Sequence, residues 1–282
     1  MKFSLFTNNG ALNSAPVFEA FAQGCGQLGH EVVYNDNNAD VAVIWSVLWH
    51  GRMTANKNVW ELFRKQNKPV IVLEVGALKR GIMWKVGVNG INREANFGPV
   101  GNNSERADSL GLKLKPMRES KEGHILICTQ HDKSHQWRSM PPISNWVIET
   151  ISTLRQHTDR EIIIRPHPRC KLDGIQHEFD NVKLQRPEHI QGTYDDFDLD
   201  LTNTYAVVNW SSNPATLATI EGIHAFVGPE SLAWDVANPV LVNIENPIVY
   251  DRQQWLNNLA YSEWSVPEIS QGIPLKRLTS CL

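Results

Sequence analysis

Two short stretches carry side chains of the kinds that hold anions. Arg165-Pro166-His167-Pro168-Arg169 follows the apolar run Ile162-Ile163-Ile164, and some forty residues later comes Val207-Val208-Asn209-Trp210-Ser211-Ser212-Asn213-Pro214. In the first, two prolines fix the backbone around one imidazole flanked by two guanidiniums. That is a costly arrangement for a loop without a ligand and a suitable one for a diphosphate. In the second, Asn213 reads as a helix N-cap with Pro214 at the first helical position. The first-turn N–H groups, with the hydroxyls of Ser211 and Ser212, then suit a phosphate. An ordinary βα turn explains Ser-Ser-Asn-Pro about as well.

The β-branched runs before both stretches read as buried parallel strands. The polar residues after them therefore fall at the carboxyl edge of a sheet, where open α/β folds bind ligands. The loop at 130–140, with Gln130 and Ser134, follows another such strand at 125–129 and is assigned to the same site. Glu230 follows a strand at 225–227, where a carboxylate takes ribose hydroxyls; a structural role fits it equally.

The chain has 282 residues and 41% hydrophobic content, enough for one large core or two modest ones. The alternation of strand and helix patterns predicts two α/β lobes, 1–121 with 250–282 packing back on it, and 122–249. No apolar run approaches the roughly 18 residues needed to span a bilayer, and the opening stretch is too short for a signal peptide, so no membrane partner and a cytoplasmic location are expected. Cys25, Cys128, Cys170 and Cys281 show no CxxC spacing, which predicts reduced thiols and no metal site. Asp195-Asp196-Phe197-Asp198 with Asp200 lacks calcium-loop spacing and reads as a solvated loop. Oligomeric state is not legible.

The net charge of −3 hides an asymmetry. Residues 1–121 hold 15 basic and 10 acidic side chains, or +5; residues 122–282 hold 12 and 20, or −8. The excess concentrates in Arg52, Lys57, Arg64, Lys65, Lys68, Lys79, Arg80 and Lys85, against Glu61 and Glu74. A solvated helix face accounts for part of it, and a polyanionic acceptor for the rest.

The first lobe reads as a strand at 2–6, a helix at 15–28 with Ser14 as N-cap and Gly29 as its stop, strands at 32–34, 41–44 and 70–73, and a helix at 58–66. The glycine- and asparagine-rich stretch 83–101 reads as an irregular loop. A helix at 104–110 and a linker at 113–120 follow. The second lobe has helices at 144–157 and 215–221 and strands at 161–164, 182–184 and 206–209. A last helix, 252–262, carries Trp255, Leu259 and Trp264 and crosses back to the first lobe.

A His-Pro motif after a middle strand and a Ser-Ser pair opening a later helix resemble GT-B glycosyltransferases, and loosely the bacterial sialyltransferases and Kdo transferases. More closely, Phe6-Thr7-Asn8-Asn9-Gly10, Ile44-Trp45-Ser46-Val47-Leu48-Trp49-His50-Gly51 and the 207–214 stretch resemble the family of T-even-type bacteriophage glycosyltransferases that act on hydroxymethylcytosine in DNA. Within it the nearest group adds glucose to glucosylated hydroxymethylcytosine; an arabinosyl group stays open.

The resemblance implies a GT-B-like fold with a ligand cleft between its lobes, a UDP-sugar donor (UDP-glucose or UDP-arabinose) and a double-stranded DNA acceptor. It implies no tightly bound cofactor and leaves a divalent metal open. Arg165, His167, Arg169, Ser211, Ser212, Asn213, Gln130, Ser134 and Glu230 then face the donor. Glu74 and His50, near strand ends of the first lobe, are the candidate general bases, each with a structural alternative. Asn9, Gly10, Trp49, Arg52, Lys79, Arg80 and Lys85 face the acceptor. A surface-polysaccharide transferase of the same fold, or a nucleotide-sugar binder without transfer activity, is the alternative.

Overall fold

Buried β-branched runs set two sheets, and the helices between them cover the faces. The computed structural model describes residues 1–119, 121–170 and 172–282. The last position of the predicted 113–120 linker lies outside the described residues. Two units emerge, Met1–Arg106 with Asn257–Leu282 (unit 1) and Ala107–Leu256 (unit 2), divided at other residues than the expected 121/122 and 249/250. This is the expected fold class, α/β and GT-B-like with two Rossmann-like lobes, and the C-terminal segment belongs to the first.

In chain order the elements are β1 (Lys2–Leu5), α1 (Ala15–Gln27), β2 (Glu31–Tyr34), β3 (Val41–Trp45), α2 (Thr54–Lys65), β4 (Val70–Val75), β5 (Met83–Val88) and α3 (Glu105–Ser109). There follow β6 (His124–Cys128), α4 (Ile143–Arg155), β7 (Ile162–Arg165), β8 (Val182–Leu184), β9 (Thr204–Asn209), α5 (Asn213–Ile220) and β10 (His224–Val227). The chain ends with α6 (Gln253–Leu259), β11 (Glu263–Ser265), α7 (Val266–Ser270) and α8 (Ile273–Leu278).

The sheet of unit 1 runs β11-β5-β4-β3-β1-β2, parallel from β2 to β4 and antiparallel where β5 joins β4 and β11 joins β5. The predicted loop at 83–101 therefore begins as an inner strand. Its glycines mask the strand signal, yet a Cβ on Gly87 would lie 2.6 Å from the Gly90 carbonyl oxygen, so the residue serves close packing. The predicted helix 252–262 stops at Leu259, and Trp264 is buried on β11, with the Arg106 guanidinium 3.7 Å from the Trp264 ring centroid. Gly24 of α1 meets the turn between α7 and α8 so closely that a Cβ would lie 2.4 Å from the Ile269 carbonyl oxygen.

Unit 2 has the all-parallel order β10-β9-β6-β7-β8. The chain builds outward from β6 through β7 to β8, then returns to β9 on the other side. The topological switch point thus lies between the carboxyl ends of β6 and β9, the place where such sheets hold ligands. Its apolar core, with Ile125, Ile127, Val147, Ile151, Ile162 and Ile164 near zero exposure, fixes the strands whose ends carry the motifs.

Candidate donor site in unit 2

At the switch point one buried carboxamide joins the two strand ends. Gln130, just beyond β6, accepts the Ser211 N–H at 3.1 Å and the Ser211 hydroxyl at 2.8 Å on Oε1, and donates from Nε2 to Ser134 Oγ at 2.8 Å. Ser211 is buried and turned toward Gln130, so its role is to hold the loop rather than to face a phosphate. Ser212 is the half-buried partner. Its carbonyl and hydroxyl oxygens accept from Asn209 Nδ2 at 2.7 and 3.0 Å. Asn209 Oδ1 is buried without a hydrogen-bond partner.

The α5 cap is displaced by one residue from the expected register. Ser212, with extended backbone (φ −72°, ψ 155°), is the N-cap, and Asn213 and Pro214 are the first two helical residues. Proline suits either early position because those N–H groups have no acceptor within the helix. The start of α5 remains beside the Gln130–Ser211 link, where the helix dipole favours an anion.

The His-Pro loop after β7 is tied to the same place. The His167 N–H donates to Thr129 Oγ1 at 2.9 Å, and the Arg169 N–H donates to His167 Nδ1 at 3.2 Å. Because Nδ1 accepts, a neutral ring carries its proton on Nε2. The two arginines lie otherwise than expected. Arg165 is the last residue of β7 and gives its guanidinium to the Asp198 carbonyl, while Arg169 pairs with Asp195 at 2.5 Å. The acidic stretch at 195–200, expected as a plain solvated loop, thus steadies both arginines. Glu230 is held by Arg138 at 3.1 Å. Trp210 packs under Gly228, where a Cβ would lie 2.3 Å from the ring, and donates from Nε1 to the Gln136 carbonyl at 2.9 Å.

Burial pushes the Cys128 and Cys25 thiols up to about 12, so neither supplies a thiolate nucleophile. Cys170 is also raised, chiefly by burial.

Unit 1 presents its candidates differently. Its switch point lies between β1 and β3, and Asn56 of α2 closes it, donating from Nδ2 to the Trp45 carbonyl at 2.6 Å and the Asn9 carbonyl at 3.3 Å. Asn9 ends a short 3₁₀ turn, and Gly10 abuts Ser14, where a Cβ would meet Oγ at 2.2 Å. The Ser14 hydroxyl donates to the Ala11 carbonyl and so does not cap α1. His50 and Arg52 are exposed on the turn into α2, and Trp49 is half-buried with its ring 6.4 Å from that of Trp60.

Glu74 lies within β4 rather than after it, directly across from Lys85 of β5. Lys85 is 1% exposed, which removes it from the expected acceptor surface. It is also directly across from Glu263 of β11, whose carboxylate accepts the Ala77 N–H at 2.6 Å and the Leu78 N–H at 3.0 Å. Burial pushes the Glu263 carboxyl up and the Lys85 ammonium down, and their mutual charge opposes both shifts. Through those N–H bonds Glu263 holds the turn that carries half-buried Lys79 and exposed Arg80. No composition signal marks Asn56 or Glu263, whose partners are distant in sequence.

No family model matches the chain, and no curated protein matches it. Among solved structures it is similar to KpsC of Thermosulfurimonas dismutans, titled a beta Kdo 2,7 transferase, at 13% identity and a TM-score of 0.51, over 98% of this chain and 100% of that one. A second structure from that organism, titled KpsC, beta Kdo 2,4 transferase, matches at 15% identity and a TM-score of 0.49 over 87% and 89% of the two chains. A UDP-N-acetylglucosamine 2-epimerase, titled putative, from Listeria monocytogenes matches at 11% identity and 0.34, over 99% and 94%. At these identities the likeness is one of fold, and the first of them carries it. The narrower resemblance to the phage family has no support among these structures. No helix of the described residues is long and apolar enough to cross a membrane.

Proposed function

We propose that this protein is a GT-B glycosyltransferase that moves glucose or arabinose from a UDP-sugar to hydroxymethylcytosine, or its glucosylated form, in phage DNA. The observation that carries the transferase reading is the convergence at the unit 2 switch point. The Thr129–His167 link, the Gln130–Ser211 link and the start of α5 bring the His-Pro loop and a helix N-terminus to one sheet edge. In transfer, the bond between the sugar's anomeric carbon and the diphosphate oxygen breaks, and negative charge grows on the leaving diphosphate. His167 Nε2–H and the α5 N-terminus stabilise that charge. The acceptor hydroxyl oxygen bonds the anomeric carbon and gives its proton to a base, for which Glu74 and His50 are the candidates.

The basic side chains of α2, the turn before it and the β4–β5 turn support a DNA acceptor: Arg52, Lys57, Arg64, Lys65 and Arg80 are all exposed. The fold likeness to a Kdo transferase favours a second reading, in which the acceptor is a polysaccharide. Mass spectrometry of nucleosides separates the two, after incubation of hydroxymethylcytosine DNA, with and without glucosylation, with the protein and a panel of UDP-sugars. A hexose or pentose mass gain is expected. No gain on any DNA, with the nucleotide sugar still bound, overturns the DNA reading and leaves the polysaccharide one.

A further inference from the structure

The fold brings together three metal-ligating side chains that the sequence keeps apart. His131 and Asp132 follow β6, Cys170 ends the His-Pro loop after β7, and one ligand atom from each lies within 4.8 Å of the others. His131 Nδ1 is 3.0 Å from Asp132 Oδ1. Adjacent ligands at about 2.0–2.1 Å from a zinc ion are separated by roughly 3–3.4 Å, so this pair needs little movement. The Cys170 backbone is held beside them: its N–H donates to the His167 carbonyl at 2.9 Å. His131 packs edge-on against His167, ring centroids 5.4 Å apart, and Thr129 ties the two loops together.

We propose that His131, Asp132 and Cys170 form a three-ligand site for a divalent cation of the zinc class, on the flank of the His167 loop. A neutral imidazole, a carboxylate and a thiolate carry a charge of −2 that the cation neutralises. An N/O/S set of this kind suits zinc over magnesium or calcium, which take oxygen ligands. Binding exchanges the Lys133 N–H on His131 Nδ1, 3.1 Å away, for the metal if that nitrogen is the ligand, and releases the thiol proton to solvent. Three protein ligands leave a position open for water or a phosphate oxygen.

This inference stands apart from the transferase reading, because its test uses the metal alone. The full-length protein is stripped with a chelator and titrated with Co(II), following the thiolate-to-cobalt charge-transfer absorption in the near ultraviolet, and then with Zn(II) in competition. A stoichiometric band is expected in the wild type and in Cys281→Ser, abolished by Zn(II) and lost in Cys170→Ser. In Asp132→Asn, an exposed position that leaves folding intact, the band should persist with weaker Co(II) affinity. Absence of the band in the folded wild type, or an undiminished band in Cys170→Ser, overturns the site.

Discussion

The two sheets each have a switch point bridged by one buried carboxamide, and the two amides face opposite chemistries. In unit 1, Asn56 donates to the carbonyls of Asn9 and Trp45 and draws the ends of β1 and β3 together. In unit 2, Gln130 accepts from Ser211 and holds the β9–α5 turn beside the imidazole loop. The first edge is closed by hydrogen bonds to backbone oxygen. The second ties the loop that opens α5 to Gln130 and the His167 loop to Thr129, on adjacent residues after β6. Similar strand patterns thus yield one edge proposed to bind an anion and one edge whose cations lie outside it, on the α2 helix and the β4–β5 turn.

The largest effect that sharpens this contrast lies in unit 1. Glu263→Ala removes one of the two carboxylates directly across from buried Lys85 and strands the Ala77 and Leu78 N–H groups, which should destabilise the protein by about 3–5 kcal/mol, read as a drop in calorimetric Tm. An unchanged Tm would mean that the Lys85–Glu263 pair does not organise the turn bearing Lys79 and Arg80. In unit 2, His167→Ala should weaken UDP-sugar binding by about 1.5–3 kcal/mol, roughly ten- to a hundredfold in Kd by calorimetry, with little change in Tm.

A pH difference follows from burial. His124 of β6 and His224 of β10 are held below the ordinary imidazole value, chiefly by desolvation. The unfolded chain then takes up protons near pH 6.5 that the folded one does not. Stability should be full above about pH 6.5 and fall as the pH drops through it, and the double variant His124→Gln/His224→Gln should flatten that loss in Tm. The smallest effects belong to the exposed cations. Arg52→Ala or Arg80→Ala should each reduce the slope of log affinity for DNA against log salt by about one, without altering UDP-sugar affinity.

Much of unit 2 was legible because its strands are unbroken β-branched runs, and β8 has the bounds that Val182–Leu184 suggested. Unit 1 was harder where local signals conflict with distant pairing. Gly87 and Asn89 make β5 look like a loop, and its partner β11 lies nearly two hundred residues on, too short to announce itself. At the site, the His-Pro and Ser-Ser motifs were readable as residue types. Which serine turns inward, and which groups hold the arginines, depends on contacts such as Gln130 to Ser211 that no local pattern encodes.

On the proposed function, unit 2 builds a nucleotide-sugar site around His167 and the Gln130–Ser211 link. Its most direct test is calorimetric titration of UDP, UDP-glucose and UDP-arabinose into the wild type, His167→Ala and Arg80→Ala. Saturable binding at one site is expected, weakened at least tenfold by His167→Ala and unchanged by Arg80→Ala. Wild-type protein that binds none of the three, or binding that His167→Ala leaves intact, would contradict it.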